Sequence, residues 1–243
     1  MFSTEIYVQR RTALAAQIEA GVILLLGHEE ASMNYQDNVY PFRQESSFSY
    51  YCGLDEPGLA TLIDVETGTT TLFGDDLAVE QIVWTGPQPS LQEKGQGVGI
   101  TDTRPRAELK PMLERAQAQD REIHYLPVCR GSSILALHDL LGLEVTQVKG
   151  RTSPALIRAV IAQRSLKEAG EVAEIEAALE LSYMMHCAAM RLTRPGKHEY
   201  EIVGAIEGQV LAHCTRQAFP TIFSGHGEIL HNPTHNNLIA DGD

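Results

Sequence analysis

The chain changes period near its middle. Before residue 149 short β-prone runs alternate with helical segments, and from Pro154 to about His213 apolar residues recur at helical spacing instead. The first pattern implies a mixed sheet with helices on its faces; the second implies helices that need a surface on which to bury their stripes. Between them Lys149-Gly150-Arg151-Thr152-Ser153-Pro154 has the chemistry of a linker, with Ser153 placed to cap a helix that begins at Pro154. This divides the chain into residues 1–150, a linker and linking helix over 151–164, and a second domain over 165–243.

Within the first part, residues 6–18 read as a helix with Val8, Leu14 and Ile18 on a loose stripe, and 22–26 as a buried strand after Gly21. Residues 60–65 and 69–73 form a hairpin across Glu66-Thr67-Gly68. A helix over 106–117, a strand over 124–128, a helix over 132–141 opened by a serine cap and a strand over 143–148 complete it. In the second part helices are predicted over 154–163, 167–192 and about 198–213. Val172, Ile175, Leu179, Tyr183, His186 and Met190 share a face of the second, and Ile202, Ile206 and Val210 a face of the third. Arg194-Pro195-Gly196 stops the long helix and turns the chain, so the two should pack antiparallel. Thr221-Ile222-Phe223 is a candidate strand, followed by a loop over 224–233. Apolar stripes on both helices, left without a covering sheet, predict a self-associated or domain-swapped state.

Composition excludes several classes of function. With 32 acidic against 19 basic residues the formal charge of −13 repels phosphate backbones and anionic lipid, so neither nucleic acid nor a membrane surface is a partner. No apolar run approaches the length of a membrane span. The first residues lack the basic patch and apolar stretch of a secretory signal. Cys52, Cys129, Cys187 and Cys214 are irregularly spaced with no Cys-x-x-Cys pair, which predicts reduced thiols and a cytoplasmic protein.

Two polar clusters draw attention. His226, Glu228, His231 and His235 lie within ten residues and are the residue types that ligate metals, but Gly225, Gly227 and Pro233 deny them the helical frame that would put His231 and His235 on one face. A glycine-flanked loop presenting one histidine to a substrate fits better; surface histidines in a mobile loop are the alternative. Residues 35–53 concentrate tyrosines around Asp37 and Arg43 and read as an interface segment.

Taken in order, several stretches resemble the Xaa-Pro aminopeptidases (aminopeptidase P) of the creatinase and methionine-aminopeptidase superfamily. They are Gln9-Arg10-Arg11; Asp37 with Tyr40-Pro41-Phe42-Arg43-Gln44, Phe48 and Gly53; and Arg164-Ser165-Leu166-Lys167-Glu168. Arg194-Pro195-Gly196 with Glu199-Tyr200-Glu201, Phe219-Pro220-Thr221-Ile222 with Ser224-Gly225, Ile229-Leu230-His231 and Asp241-Gly242-Asp243 follow. The resemblance implies an α/β architecture: a creatinase-type N-terminal domain with a mixed sheet flanked by helices, then the incomplete start of a pita-bread α+β catalytic domain.

It also implies a metallopeptidase that removes the N-terminal residue from peptides with proline second, works as a homo-oligomer and uses two divalent ions, usually manganese, to activate water. The family's ligands would all follow Asp243, so no metal and no turnover are expected on this chain alone. By the same resemblance His231 meets the substrate or the tetrahedral intermediate. Asp37 matches an acidic residue that reaches a neighbouring subunit's active site, and Trp84 stands where the family has an aromatic wall for substrate. Loop capping for Asp37 and core filling for Trp84 are the plainer alternatives. His226 and His235 have no counterpart and receive no ligand role. A metal-free pita-bread interaction module and a creatinase-like amidinohydrolase are the competing functions.

Overall fold

The computed structural model describes residues 2–232 and 234–243, which form two compact units, Met1–Leu166 and Lys167–Asp243. The first unit opens with α1 (Thr4–Ala15), β1 (Val22–Leu26), the short strands β2 (Ser32–Tyr35) and β3 (Asn38–Val39), and α2 (Ser46–Cys52). β4 (Ala60–Asp64), β5 (Thr70–Phe73), α3 (Val79–Thr85), α4 (Leu91–Gly97) and β6 (Asp102–Arg104) follow. α5 (Leu109–Ala118), β7 (Ile123–Tyr125), α6 (Gly131–Leu141), α7 (Val145–Val148) and α8 (Pro154–Ser165) end it. The second unit has α9 (Ala169–Leu192) and α10 (Glu199–Ala212), then a long irregular segment.

The five-stranded sheet has the order β6-β5-β4-β1-β7, with β1 antiparallel to β4 and parallel to β7, and β5 antiparallel to β4 and parallel to β6. The expected mixed sheet with flanking helices is therefore present. Successive side chains of β1 alternate between two cores, Ile23 and Leu25 joining Leu14, Phe48 and Leu156 on one face, Val22 and Leu24 joining Leu109, Leu113 and Leu137 on the other. The register sets Leu26 opposite Ala60, Ala60 opposite Phe73 and Phe73 opposite Arg104. The connections that follow β1, β5, β6 and β7 all leave from this one end.

Buried arginines tie α1 to α2. Arg10 and Arg11 are 2 % and 3 % exposed. Arg10 donates to the Tyr50 carbonyl at 3.1 Å with its guanidinium 3.9 Å from the Tyr50 ring centroid; Arg11 donates to the carbonyls of Tyr51 at 2.8 Å and Val98 at 2.7 Å. The acceptors Tyr50 and Tyr51 lie in the last turn of α2, whose carbonyls have no partner within the helix and carry the negative end of its dipole. Gly53 then ends α2 in the left-handed region, and a Cβ there would come within 2.2 Å of the Tyr7 ring of α1.

A buried glutamine fixes the loop after β1. Gln44 accepts from the backbone N–H of His28 (2.7 Å) and Glu45 (2.9 Å) and donates to the carbonyls of Leu54 (3.2 Å) and Glu56 (2.8 Å). Gly27 lets these strands of backbone meet, since a Cβ on it would lie 2.7 Å from the Leu59 carbonyl oxygen. At the start of α8, Ser153 caps the helix by accepting from Leu156 N–H, and its hydroxyl bonds His124 Nδ1 at 2.8 Å.

Several expected boundaries give way to tertiary context. The strand at 143–148 does not form: 145–148 is a helical turn of which only Val148 is buried, so its β-branched residues have no sheet face to pack on. No serine caps α6; Arg130 holds the cap position without a side-chain bond, and Ser133 is buried instead. β7 stops at Tyr125, two residues before Pro127, which has no N–H for a ladder. Thr221-Ile222-Phe223 is irregular, and an isolated bridge between His198 and Leu238 is the pairing the second unit shows among its described residues. Pro233 itself lies outside the described residues.

The second unit packs α9 on α10. The stripe of α10 is covered, with Ile202, Ile206 and Val210 buried, contrary to the expectation that both stripes lie bare. That of α9 faces out: Ile175, Leu179, Tyr183 and Met190 are exposed.

Two losses of stability follow. Arg11→Met removes bonds to carbonyls that have no other donor among the described residues, and is expected to cost the first unit about 3 kcal/mol in urea denaturation followed by circular dichroism. Ser153→Ala removes the cap of α8 and a partner of His124 and is expected to cost about 1.5 kcal/mol in the same measurement.

Candidate functional site

Both candidate residues of the first unit stand on connections that leave the same end of the sheet. Asp37 lies in the Gln36-Asp37 turn between β2 and β3, an exposed hairpin whose turn is closed by the Ser32 hydroxyl on the Gln36 carbonyl (3.1 Å) and by Asn38 on Asn34 (2.8 Å). Asp37 is exposed and is not the group that caps this turn. Trp84 lies on α3, a helix with no buried residue, and is 88 % exposed, so it fills no core. An exposed tryptophan with Val83 beside it at 79 % is an apolar surface offered to solvent.

Beneath these loops the sheet end is laced by polar pairs. Arg106 lies 3.8 Å from Glu29, and its backbone N–H donates to Asp75. Lys94 pairs with Glu56, and Arg130 donates to the carbonyls of Glu29 and Arg43. Burial draws the Arg106 pKa below its usual value, with Glu29 and Asp75 opposing. The opposite end has its own tie, Arg121 between Asp64 and Glu66.

In the second unit His231 is exposed on a loop that leaves and returns to α10. On the returning side Glu199 N–H donates to the Asn237 carbonyl (3.0 Å) and Tyr200 N–H to that of His235 (2.9 Å). On the outgoing side Glu199 Oε1 accepts from Gly225 N–H (2.9 Å), and Glu207 accepts from the Thr221 hydroxyl (2.7 Å). Across the loop Asn232 donates to the Phe223 carbonyl at 2.8 Å and His235 bonds the Thr221 carbonyl at 3.1 Å. Glu199 is fully buried. Burial opposes its charge, but hydrogen bonds from Gly225 and Asn237 outweigh that and hold its carboxyl below the usual range.

The other histidines of the cluster have local partners: His226 lies 3.3 Å from Glu228, and His235 is engaged with Thr221. Asp243 accepts from Ala240 N–H at 2.7 Å. Among the described residues no group of three or more His, Cys, Asp or Glu side chains is disposed to hold a metal ion. The residues present do not fit a dinuclear centre. Glu199 received no role from the sequence, although a carboxylate in the first helical turn after a Pro-Gly turn is a recognisable signal.

Comparison with known proteins agrees with this arrangement. Residues 7–124 match the family described as aminopeptidase P, N-terminal domain, and residues 173–243 match metallopeptidase family M24. The Xaa-Pro aminopeptidase of Haemophilus influenzae is 26 % identical over 98 % of this chain and 55 % of its own length. That of Escherichia coli is 27 % identical over 99 % of this chain and 57 % of its own. Among solved structures, proline aminopeptidase P II from Yersinia pestis is 25 % identical with a TM-score of 0.83, covering 99 % of this chain and 58 % of that one. The chain thus spans somewhat more than half the length of the relatives it matches. It is similar to aminopeptidase P N-terminal domains over residues 7–124 and to metallopeptidase family M24 over residues 173–243.

Proposed function

We propose that the full-length protein is a cytoplasmic metallo-aminopeptidase that removes the N-terminal residue from peptides with proline in second place, acting as a homo-oligomer. The observation that carries this reading is the likeness to Xaa-Pro aminopeptidases across nearly the whole chain, through both units. Solved forms of the Escherichia coli enzyme include one with the inhibitor Pro-Leu and a zinc-substituted one with product. The relatives' class calls for divalent metal, and we assign two ions, manganese by preference, to the rest of the catalytic domain.

This chain's own residues do the work of recognition. His231 stands exposed on a braced loop, where its imidazole can hydrogen-bond the carbonyl oxygen next to the scissile bond and the charge that develops on it. Trp84 offers a flat apolar face to the substrate side chain. Asp37 offers a carboxylate at the tip of an exposed hairpin, with Tyr35 and Tyr40 beside it at 64 % and 55 % exposure, suited to meeting a second copy of the protein. Unpaired Cys129 and Cys214 at the surface accord with a reducing compartment.

Three outcomes are expected. The full-length enzyme should release the first residue of an Xaa-Pro peptide and lose that activity to a chelator; His231→Ala should lower kcat about 10²-fold to 10³-fold with KM little changed. Turnover of creatine and not of the peptide would replace this reading. In the 243-residue chain, where no turnover is expected, acrylamide should quench the single tryptophan as strongly as free indole.

A further inference from the structure

Helix α10 holds both limbs of the loop that carries His231, with different chemistry on each. The returning limb is fixed by backbone: Gly196 N–H to the Ile239 carbonyl (2.9 Å), Ile239 N–H to Lys197 (2.8 Å), Glu199 N–H to Asn237 (3.0 Å) and Tyr200 N–H to His235 (2.9 Å). The last two donors belong to the first turn of α10, where N–H groups have no acceptor inside the helix. The outgoing limb is reached by side chains instead. Glu207 takes the Thr221 hydroxyl at 2.7 Å, and Glu199 Oε1 takes the Gly225 N–H at 2.9 Å. The same oxygen also accepts from Asn237 Nδ2 at 3.1 Å, so Glu199 bonds both limbs at once.

We propose that Glu199 is a positioning residue: its buried carboxylate ties the Ser224-Gly225 turn to Asn237 and so sets the span and orientation of the loop that presents His231. It rests on the peptidase reading only for what His231 meets, since the tie is a property of this chain. Glu199 is 0 % exposed, so it acts through the loop and not by touching a bound substrate.

The charge on Glu199 matters because an ionised acceptor makes the stronger bond. Its pKa lies below the ordinary 4.5, lowered by the Gly225 and Asn237 bonds against the opposing effect of burial. A carboxyl lowered on folding stabilises its surroundings above the ordinary value and ceases to as pH falls through the lowered one. The other ionisable groups around the loop are Glu207 through Thr221, His235 on the Thr221 carbonyl, His198 on the Asn236 carbonyl, and Asp243, whose Oδ2 would lie 3.3 Å from a Cβ at Gly225. Lys197 and Glu201 pair with each other at 2.7 Å at the helix start.

Amide exchange and ring resonances in the 243-residue chain test this. Glu199→Ala is expected to speed exchange of the Gly225 amide about tenfold to a hundredfold, the equivalent of one hydrogen bond to a charged group. The His231 ring resonances should move towards those of free imidazole, while Ile206 and Val210 amides stay protected. An unchanged Gly225 amide and an unmoved His231 ring overturn the proposal. Glu199→Gln keeps the shape and removes the titration: protection at Gly225 should fall in the wild type as pH drops below 4.5 and stay flat in the variant. A glutamine variant that follows the wild-type curve overturns it even if the alanine variant unfolds. None of these readouts measures turnover, so a full-length protein without peptidase activity would remove the proposed function and leave the tie decided on its own.

Discussion

Two adjacent arginines inside the first unit set the position of nearly everything around them. Arg10 and Arg11 leave α1 in successive directions and reach the last carbonyls of α2, with Arg11 continuing to Val98 at the end of α4. A guanidinium suits this task because it is a planar array of donors that stays charged even when buried. Apolar residues in those places would bury comparable area but would leave helix-end carbonyls with no donor. The position of α2 in turn fixes Phe48 and Tyr51 in the first core, and the Gly53 corner brings the chain back to β4. The loop before α2 is then short of freedom at both ends, and Gln44 settles its path.

What was legible in the sequence was whatever depends on a repeating pattern. The β4–β5 hairpin, β1, the Ser153-Pro154 start of α8 and the Pro-Gly stop after α9 all stand as read, because period and punctuation act locally. The failures share a cause. Residues 143–148 and 221–223 have strand-like side chains but no neighbouring strand edge, and a strand exists only as a pairing. β2, β3 and β6 are two to four residues long, too short for alternation to register. Arg10, Arg11 and Gln44 were visible as elements of a resemblance; that they are buried brackets and not surface charge is a fact of tertiary structure.

The same contrast holds for the candidate site. His231, Asp37 and Trp84 carry chemistry in their side chains and were singled out on family likeness. Glu199 does its work through a backbone amide and an asparagine remote in sequence, partners that no spacing rule names. The loop it serves has little regular structure, yet its limbs are bonded to α10 at five places, by a helix start on one side and by carboxylates on the other. An irregular segment braced in this way presents a side chain as firmly as a strand would, and without a sheet edge to guard.

The polarity of the sheet has a further consequence for evolution and for engineering. The connections that carry Asp37 and Trp84 depart from the Leu26 and Phe73 ends of their strands, the same side as the Arg104 and Tyr125 ends, while the Glu66-Thr67-Gly68 turn and the stretch before β7 sit at the far side. Loop length on the first side can drift with the scaffold untouched. The far side is where a dye, a purification handle or an anchoring group can be grafted away from those connections.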